Sequence, residues 1–481
     1  CVGRVGRRAT PLPPPLRRWL SEQGLPTAEN LADVPVPVDS WDVFDRLFAW
    51  DRRPLAERGT CDTYLGAAIR SFFAQGGRRC FVVRAGNPLP VVGPSRAARL
   101  EQLARLVPWF DPRYDPPSPH DRSAWHGVGH LFGLPEVSFL CLPDLPELAG
   151  LEHGPPPDPP PVKEPPEEFV ECGVAEPTPI EKPVRGIPAA RCGVAEYLDW
   201  SRAVRLVGGW LARPRREVQL VAAVPMPSAD ARDPLLDMLI AAEALPGDRE
   251  DGAAAFVQLA YPWVRTPGSA NLPEGLESPD GPLVGLLARN ALLRGAFRSA
   301  ARQPVGDVHD VWPLLSRADT DARPGKATAP ALGLGERVSL FGPTPGGLTL
   351  LSDVTTSADD ARRPASVRRL VAVLLRAARR VGEEVAFEPS GEQLWAAVRR
   401  QMAGLLEGLF RAGALGGETA EEAFDVRCDR STMTQHDLDG GRAVVRVAFT
   451  PALPVERITV VLGLSEGGVV ALPAAGQKGA A

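Results

Sequence analysis

Between residues 62 and 75 the apolar side chains fall at Tyr64, Leu65, Ala68, Ile69, Phe72 and Phe73. The intervals i, i+1, i+4, i+5, i+8 and i+9 gather them on one stripe of an α-helix. Gly76-Gly77 follows and supplies the left-handed stop that helix ends favour. After Arg78-Arg79, the run Cys80-Phe-Val-Val83 predicts a short strand buried on both faces. Similar runs predict strands at 137–142, 218–224 and 254–261, and amphipathic patterns predict helices around 95–107, 196–212 and 283–302. Strands alternating with helices indicate an α/β domain with a mixed or largely parallel sheet. Upstream, Asp39-Ser-Trp-Asp42 ahead of Val43, Phe44 and Leu47 reads as a helix entry with an acidic first turn. Residues 1–40 are rich in Pro and Arg and predict nothing regular.

Two stretches interrupt this pattern. Gly154-Pro-Pro-Pro-Asp-Pro-Pro-Pro161 and the Pro-Pro pair at 165–166 cannot donate ladder hydrogen bonds and favour extended polyproline geometry. The region from about 145 to 195 therefore reads as a surface insertion. A Cys-Gly-Val-Ala-Glu string occurs in it at 172–176 and extends past it at 192–196, and two copies do not make a repeat fold. Residues 305–365, rich in Gly, Pro and Asp, read as irregular and lead to a boundary. From about 366 the pattern changes. Val367, Leu370, Val371, Leu374 and Leu375 share one helical face, and a second helix from Glu392 to Arg411 buries Trp395, Val398, Met402, Leu405, Leu406 and Leu409. Alternation then predicts strands around 424–428, 443–449 and 458–464. The expected organisation is an α/β domain over 1–355, a smaller α+β domain over 366–464, and a flexible Gly/Ala-rich tail over 465–481.

Length and charge narrow the function. A chain of 481 residues predicts two or three domains, and 44 % hydrophobic with 23 % charged residues fits a globular protein. A net charge of −5 offers no footprint for nucleic acid and no polybasic patch for a membrane surface. No apolar window approaches the length of a bilayer span. The first residues lack both the apolar run of a secretory signal and an initiator Met, so the chain is expected to begin inside a longer reading frame. The 7 cysteines are odd in number and form no Cys-x-x-Cys pair, which fits reduced thiols; Cys80 and Cys141 lie in apolar runs as small hydrophobes.

Catalytic patterns fail one by one. Gly325-Lys326 is followed by Ala327, and Thr320 stands where a phosphate loop needs its first glycine. There is no Gly-x-Ser-x-Gly elbow. His126 and His130 are spaced i, i+4 and could share a helical face as zinc ligands do, but position 127 is Gly rather than the Glu a metalloprotease uses as its base. Glu383-Glu384 and Glu421-Glu422 fit solvated helix termini, and Asp425 with Arg427 fit either a solvated strand face or a contact with another molecule. No catalytic residue, cofactor or metal ligand is assigned.

Three ordered segments carry a resemblance. The first is Asp62-Thr-Tyr-Leu-Gly-Ala-Ala-Ile-Arg-Ser-Phe-Phe-Ala-Gln-Gly-Gly-Arg-Arg-Cys-Phe-Val-Val-Arg84, led in by residues 37–48. The second is Tyr261-Pro-Trp263 followed by Gly281-Pro-Leu-Val-Gly-Leu-Leu-Ala-Arg289 and Arg294-Gly295. The third runs through Val367-Arg-Arg-Leu370, Phe387-Glu-Pro389, Leu394-Trp395, Gly413-Ala-Leu415, Ala423-Phe424, Val426-Arg-Cys428, Thr434-Gln435, Gly440-Gly-Arg442, Pro451 and Pro454. In order and spacing this set resembles the tail sheath family of contractile phages and extracellular contractile injection systems. The Pro-rich insertion is more similar to the injection-system branch. The chain departs from the family at two places: no Pro-Gly-Val-Tyr-like strand opens it, and 348–356 replaces the usual Gly-Ala-Arg-Thr-like string.

The resemblance implies a non-enzymatic subunit that polymerises helically around an inner tube and contracts to drive it through a target envelope. Its partners would be other sheath subunits, the inner tube protein, and baseplate and cap components, without nucleic acid or membrane. Assembly would take place in the producing cell's cytoplasm, and the product would be a phage-tail-like particle. Terminal arms in this family add strands to neighbouring subunits, a contact made by β-augmentation. Two other readings are a minor cap- or baseplate-associated relative and a metal-dependent hydrolase using His126 and His130.

Overall fold

Three of the four apolar runs predicted as buried strands end up as neighbours in one sheet. The computed structural model describes residues 1–25, 30–56, 59–152, 183–245, 252–325, 331–385, 391–453, 458–465 and 468–472. In it, Phe139–Cys141, Gln219–Ala223, Val257–Tyr261 and Ser339–Thr344 pair in that order and all in parallel. Gly347–Leu350 completes the sheet antiparallel to Ser339–Thr344. Alternation along Gln219–Ala223 explains the double burial. Leu220 and Ala222 join the core containing Val204 and Val207 of the helix Val194–Leu211. Val221 points to the other face and joins Leu283 and Leu286 of the helix Asp280–Arg294.

The helix Tyr64–Ala74, capped by the Thr63 hydroxyl accepting from Gly66 N at 3.1 Å, packs on Asp280–Arg294. Contact is close because of Gly281 and Gly285. A Cβ at Gly281 would lie 2.5 Å from Ala68 Cα, and one at Gly285 would lie 2.6 Å from Phe72 O. Asp280–Arg294 stops short of the expected residue 302 because Gly295 adopts φ +99°, a turn that releases the chain.

Several expectations need correction. Cys80–Arg84 does not join the central sheet. It pairs with Val2–Gly3 and Pro35–Val38 in a separate three-stranded sheet. Residues 1–40, expected to be irregular, contribute those two strands and the helix Pro14–Glu22. Pro14 and Pro15 sit in the first turn of that helix and Pro35 and Pro37 on an edge strand, places where proline is tolerated. The stretch 305–365 holds the pair Ser339–Thr344 and Gly347–Leu350, whose Gly342 and Pro343 read as breakers but lie at the sheet's margin. The predicted surface insertion also begins too early, because Leu145–Ala149 is a fully buried helix. The polyproline run, Cys172 and the first Cys-Gly-Val-Ala-Glu copy lie outside the described residues.

After residue 364 the chain forms two long helices, Ala365–Glu384 and Glu392–Arg411, and an antiparallel sheet. The sheet has four strands in the order Phe424–Arg427, Ala443–Phe449, Ile458–Ser465 and Gly468–Leu472. The fourth replaces part of the expected flexible tail, and residues 473–481 lie outside the described residues. Leu370, Leu374, Val398, Met402 and Leu406 of the helices and Val445, Val447, Phe449 and Leu462 of the strands make one hydrophobic core. Among the described residues no helix is long and apolar enough to cross a membrane.

Candidate functional site

Helix Ala365–Glu384 has two jobs. Its stripe of Leu370, Leu374, Leu375 and Ala378 belongs to the C-terminal core. Arginines on its other flank reach back to the central sheet. Arg369 forms a two-pronged ion pair with Asp353, at 3.0 Å to Oδ1 and 2.6 Å to Oδ2, and donates through Nε to Ala296 O at 3.0 Å. The two side chains are only 6 % and 0 % exposed. Asp353 also accepts from Gln258 Nε2 at 3.0 Å and Ala300 N at 2.8 Å. Burial on its own would raise the Asp353 pKa, but Arg369 and these donors hold it below the usual carboxylate range.

Two turns further along, Arg376 donates to Val137 O at 2.9 Å and Glu217 O at 3.0 Å. Arg379 pairs with the Glu217 carboxylate at 2.8 Å, and Arg215 pairs with the same oxygen at 2.8 Å. Burial opposes ionisation of Glu217, yet the two arginines keep its pKa below the ordinary value. Arg368 lies against Phe256, its Cζ 4.0 Å from the ring centroid. Four arginines of one helix thus tie the C-terminal layer to the margin of the central sheet. The sequence pattern held a trace of this, because Arg368 and Arg369 interrupt the apolar stripe between Val367 and Leu370. Their partners Asp353 and Glu217 carried no local signal.

The second feature is the C-terminal sheet. Helices Ala365–Glu384 and Glu392–Arg411 cover one face, the first over the Ile458–Ser465 and Gly468–Leu472 half and the second over the Phe424–Arg427 half. Both outer strands, Phe424–Arg427 and Gly468–Leu472, pair on one side only among the described residues. An edge of this kind presents free N–H and C=O groups to another strand. On the Phe424–Arg427 edge, Asp425 and Arg427 pair with each other at 2.7 Å and stay exposed.

His126 and His130 both meet the carboxylate of Asp33. His126 Nδ1 lies 2.5 Å from Asp33 Oδ2, His130 Nε2 lies 3.2 Å from Asp33 Oδ1, and Gly127 N donates to Oδ1 at 2.9 Å. The segment between them is a 3-10 helix, so the α-helical face that i, i+4 spacing implies does not form. Burial of Asp33 would raise its pKa, but these three donors hold it below the ordinary value. Among the described residues no group of three His, Cys, Asp or Glu side chains is arranged to hold a metal ion. Cys1, Cys61, Cys80, Cys141, Cys192 and Cys428 are free thiols.

No protein-family model matches the chain, and no curated protein matches it in sequence. Solved structures do match in shape. The fold, along 94–95 % of the chain, is that of contractile sheath proteins. The chain is similar to the helical sheath of the anti-feeding prophage (AFP) in its contracted state, at 20 % identity and a TM-score of 0.54, covering 95 % of this chain and 90 % of that one. It is similar to the PVC sheath of an extracellular contractile injection system in its contracted state, at 17 % identity and a TM-score of 0.54, covering 94 % and 88 %. A chain of the contracted AFP baseplate matches at 17 % identity and a TM-score of 0.56, covering 95 % and 90 %.

Proposed function

We propose that this chain is a structural subunit of a contractile sheath, carries out no chemistry, and acts by polymerising around an inner tube and shortening. The observation that carries this reading is the open C-terminal sheet within a fold shared along nearly the whole chain with contractile sheaths. A helical polymer needs heterologous contacts that do not close on themselves. A strand edge that accepts a neighbour's strand gives such a contact without a dedicated pocket. We propose that the chain works as two parts, 1–355 and 366–464, with Gly468–Leu472 as the strand exchanged between subunits. The arginine clamp on Ala365–Glu384 keeps the first part in step with the lattice while subunits rotate. Partners in this reading are copies of the chain or its paralogues, the tube, and baseplate and cap components. Assembly takes place in the producing cell.

The test is expression of the chain followed by negative-stain imaging. Long hollow helical tubes support the reading, and a persistent monomer at high concentration counts against it. Co-expression with neighbouring sheath genes then shows whether the chain runs along the whole shaft or sits at one end.

A further inference from the structure

Behind the strand Val2–Gly3, three guanidinium groups converge on one small pocket. Arg4 leaves that strand, Arg53 lies in the short pairing with Thr60–Cys61, and Arg99 sits on the helix Arg96–Leu106. All three are buried, at 6 %, 4 % and 4 % exposure. The carboxylates lining the same pocket are Asp144 and Glu147. Among the described residues, three cations against two carboxylates leave the lining one negative charge short.

The donors are short of partners as well. Arg53 is satisfied, giving Nε to Leu89 O at 2.9 Å and Nη2 to Glu147 Oε1 at 2.9 Å. Arg99 gives Nη1 to Leu151 O at 3.1 Å and Nη2 to Gly150 O at 2.9 Å, but its Nε is buried without a partner. Arg4 gives Nη2 to Asn87 O, while its Nε and Nη1 are buried without partners. Asp144 is occupied by backbone groups, accepting from Arg4 N at 2.5 Å and Leu65 N at 3.2 Å. Charged donors left unpaired in the interior are costly.

We propose that this pocket is a binding site for one small monovalent anion, of which chloride is the common example. The pocket volume of about 20 Å³ exceeds what one water needs, and a deficit of one charge is met by a monovalent anion. A water would satisfy some of the donors but would not supply the missing charge. Consistent with that shortfall, burial and the neighbouring Arg53 and Arg105 lower the Arg4 pKa to about 10 despite Asp144. Burial also raises Asp144 to about 7, so the lining is still poorer in negative charge at neutral pH. An ion held here ties the N-terminal strand to the loop at Asn87 and the helix Leu145–Ala149.

The experiment is thermal unfolding of the full chain at constant ionic strength, with sodium gluconate replaced stepwise by sodium chloride. A site that binds only the folded state raises the midpoint by about 3 °C over a hundredfold excess above its dissociation constant and then flattens towards logarithmic growth. Bromide should substitute, and Arg4→Met should remove the dependence. Equal midpoints in gluconate and chloride, or an undiminished dependence in Arg4→Met, overturn the proposal in favour of a water-filled pocket. Should Arg4→Met fail to fold, chloride NMR on the unaltered chain decides. Excess line broadening competed away by bromide supports the site, and its absence refutes it.

Discussion

Replacing Asp353 by Ala gives the most direct measure of the clamp on helix Ala365–Glu384. The change removes the acceptor of both Arg369 prongs, at 3.0 and 2.6 Å, and of Ala300 N and Gln258 Nε2. Arg369 is 6 % exposed and cannot reach water in place, so its charge stays buried and unpaired. Breaking a buried pair from one side costs about 3–5 kcal/mol. The orphaned Ala300 amide adds about 1 kcal/mol, whereas Gln258 keeps its bond to Ser339 Oγ at 2.9 Å. The sum, about 4–6 kcal/mol, is comparable to the whole stability of many folded chains. Urea unfolding followed by tryptophan fluorescence should therefore show a large fall in midpoint. Asp353→Leu combined with Arg369→Met removes both charges and should recover at least half of the loss. A loss below about 1 kcal/mol for Asp353→Ala, or a double variant as unstable as the two single changes added together, would refute the clamp.

Other expectations follow from single groups. Burial raises Glu277 to about 8 and Asp144 to about 7, so between about pH 4.5 and 8 the folded chain holds protons that the unfolded chain has released. Stability should fall by a few kcal/mol as pH rises through that window, and Glu277→Gln should flatten the slope; a flat profile in the unaltered chain contradicts this. Removing residues 466–481 should leave a folded monomer by circular dichroism that forms no tubes, and tubes of normal length from it would exclude the exchanged strand. Gly281→Ala pushes a methyl into Ala68 and should lower the urea midpoint by about 1–3 kcal/mol equivalent, with no change if the helices are less tightly packed. His126→Ala with His130→Ala should cost about 1 kcal/mol and alter neither metal content nor assembly; stoichiometric metal lost with the histidines would reopen the hydrolase reading.

Periodicity alone located the elements whose burial is continuous or strictly one-sided. The helix at 64–74, the strands inside 137–142 and 218–224, the helix Glu392–Arg411 and the strand Ala443–Phe449 all lie where the apolar pattern puts them. Such segments announce themselves because one local period sets both conformation and burial. The first forty residues and the 339–350 hairpin did not, since proline and glycine at a sheet edge look like loop when the neighbouring strand is unknown.

Only the tertiary structure decided which strands share a sheet, that Cys80–Arg84 leaves the central layer, and that 468–472 adds a fourth strand rather than a loose end. It alone joined Arg369 to Asp353, sixteen residues away, and Arg379 to Glu217, 162 residues away. Charge pairs and sheet edges are properties of two segments brought together in space. A single sequence records each partner without recording the meeting, which is why the apolar framework could be read directly and the clamp and the open edge could not.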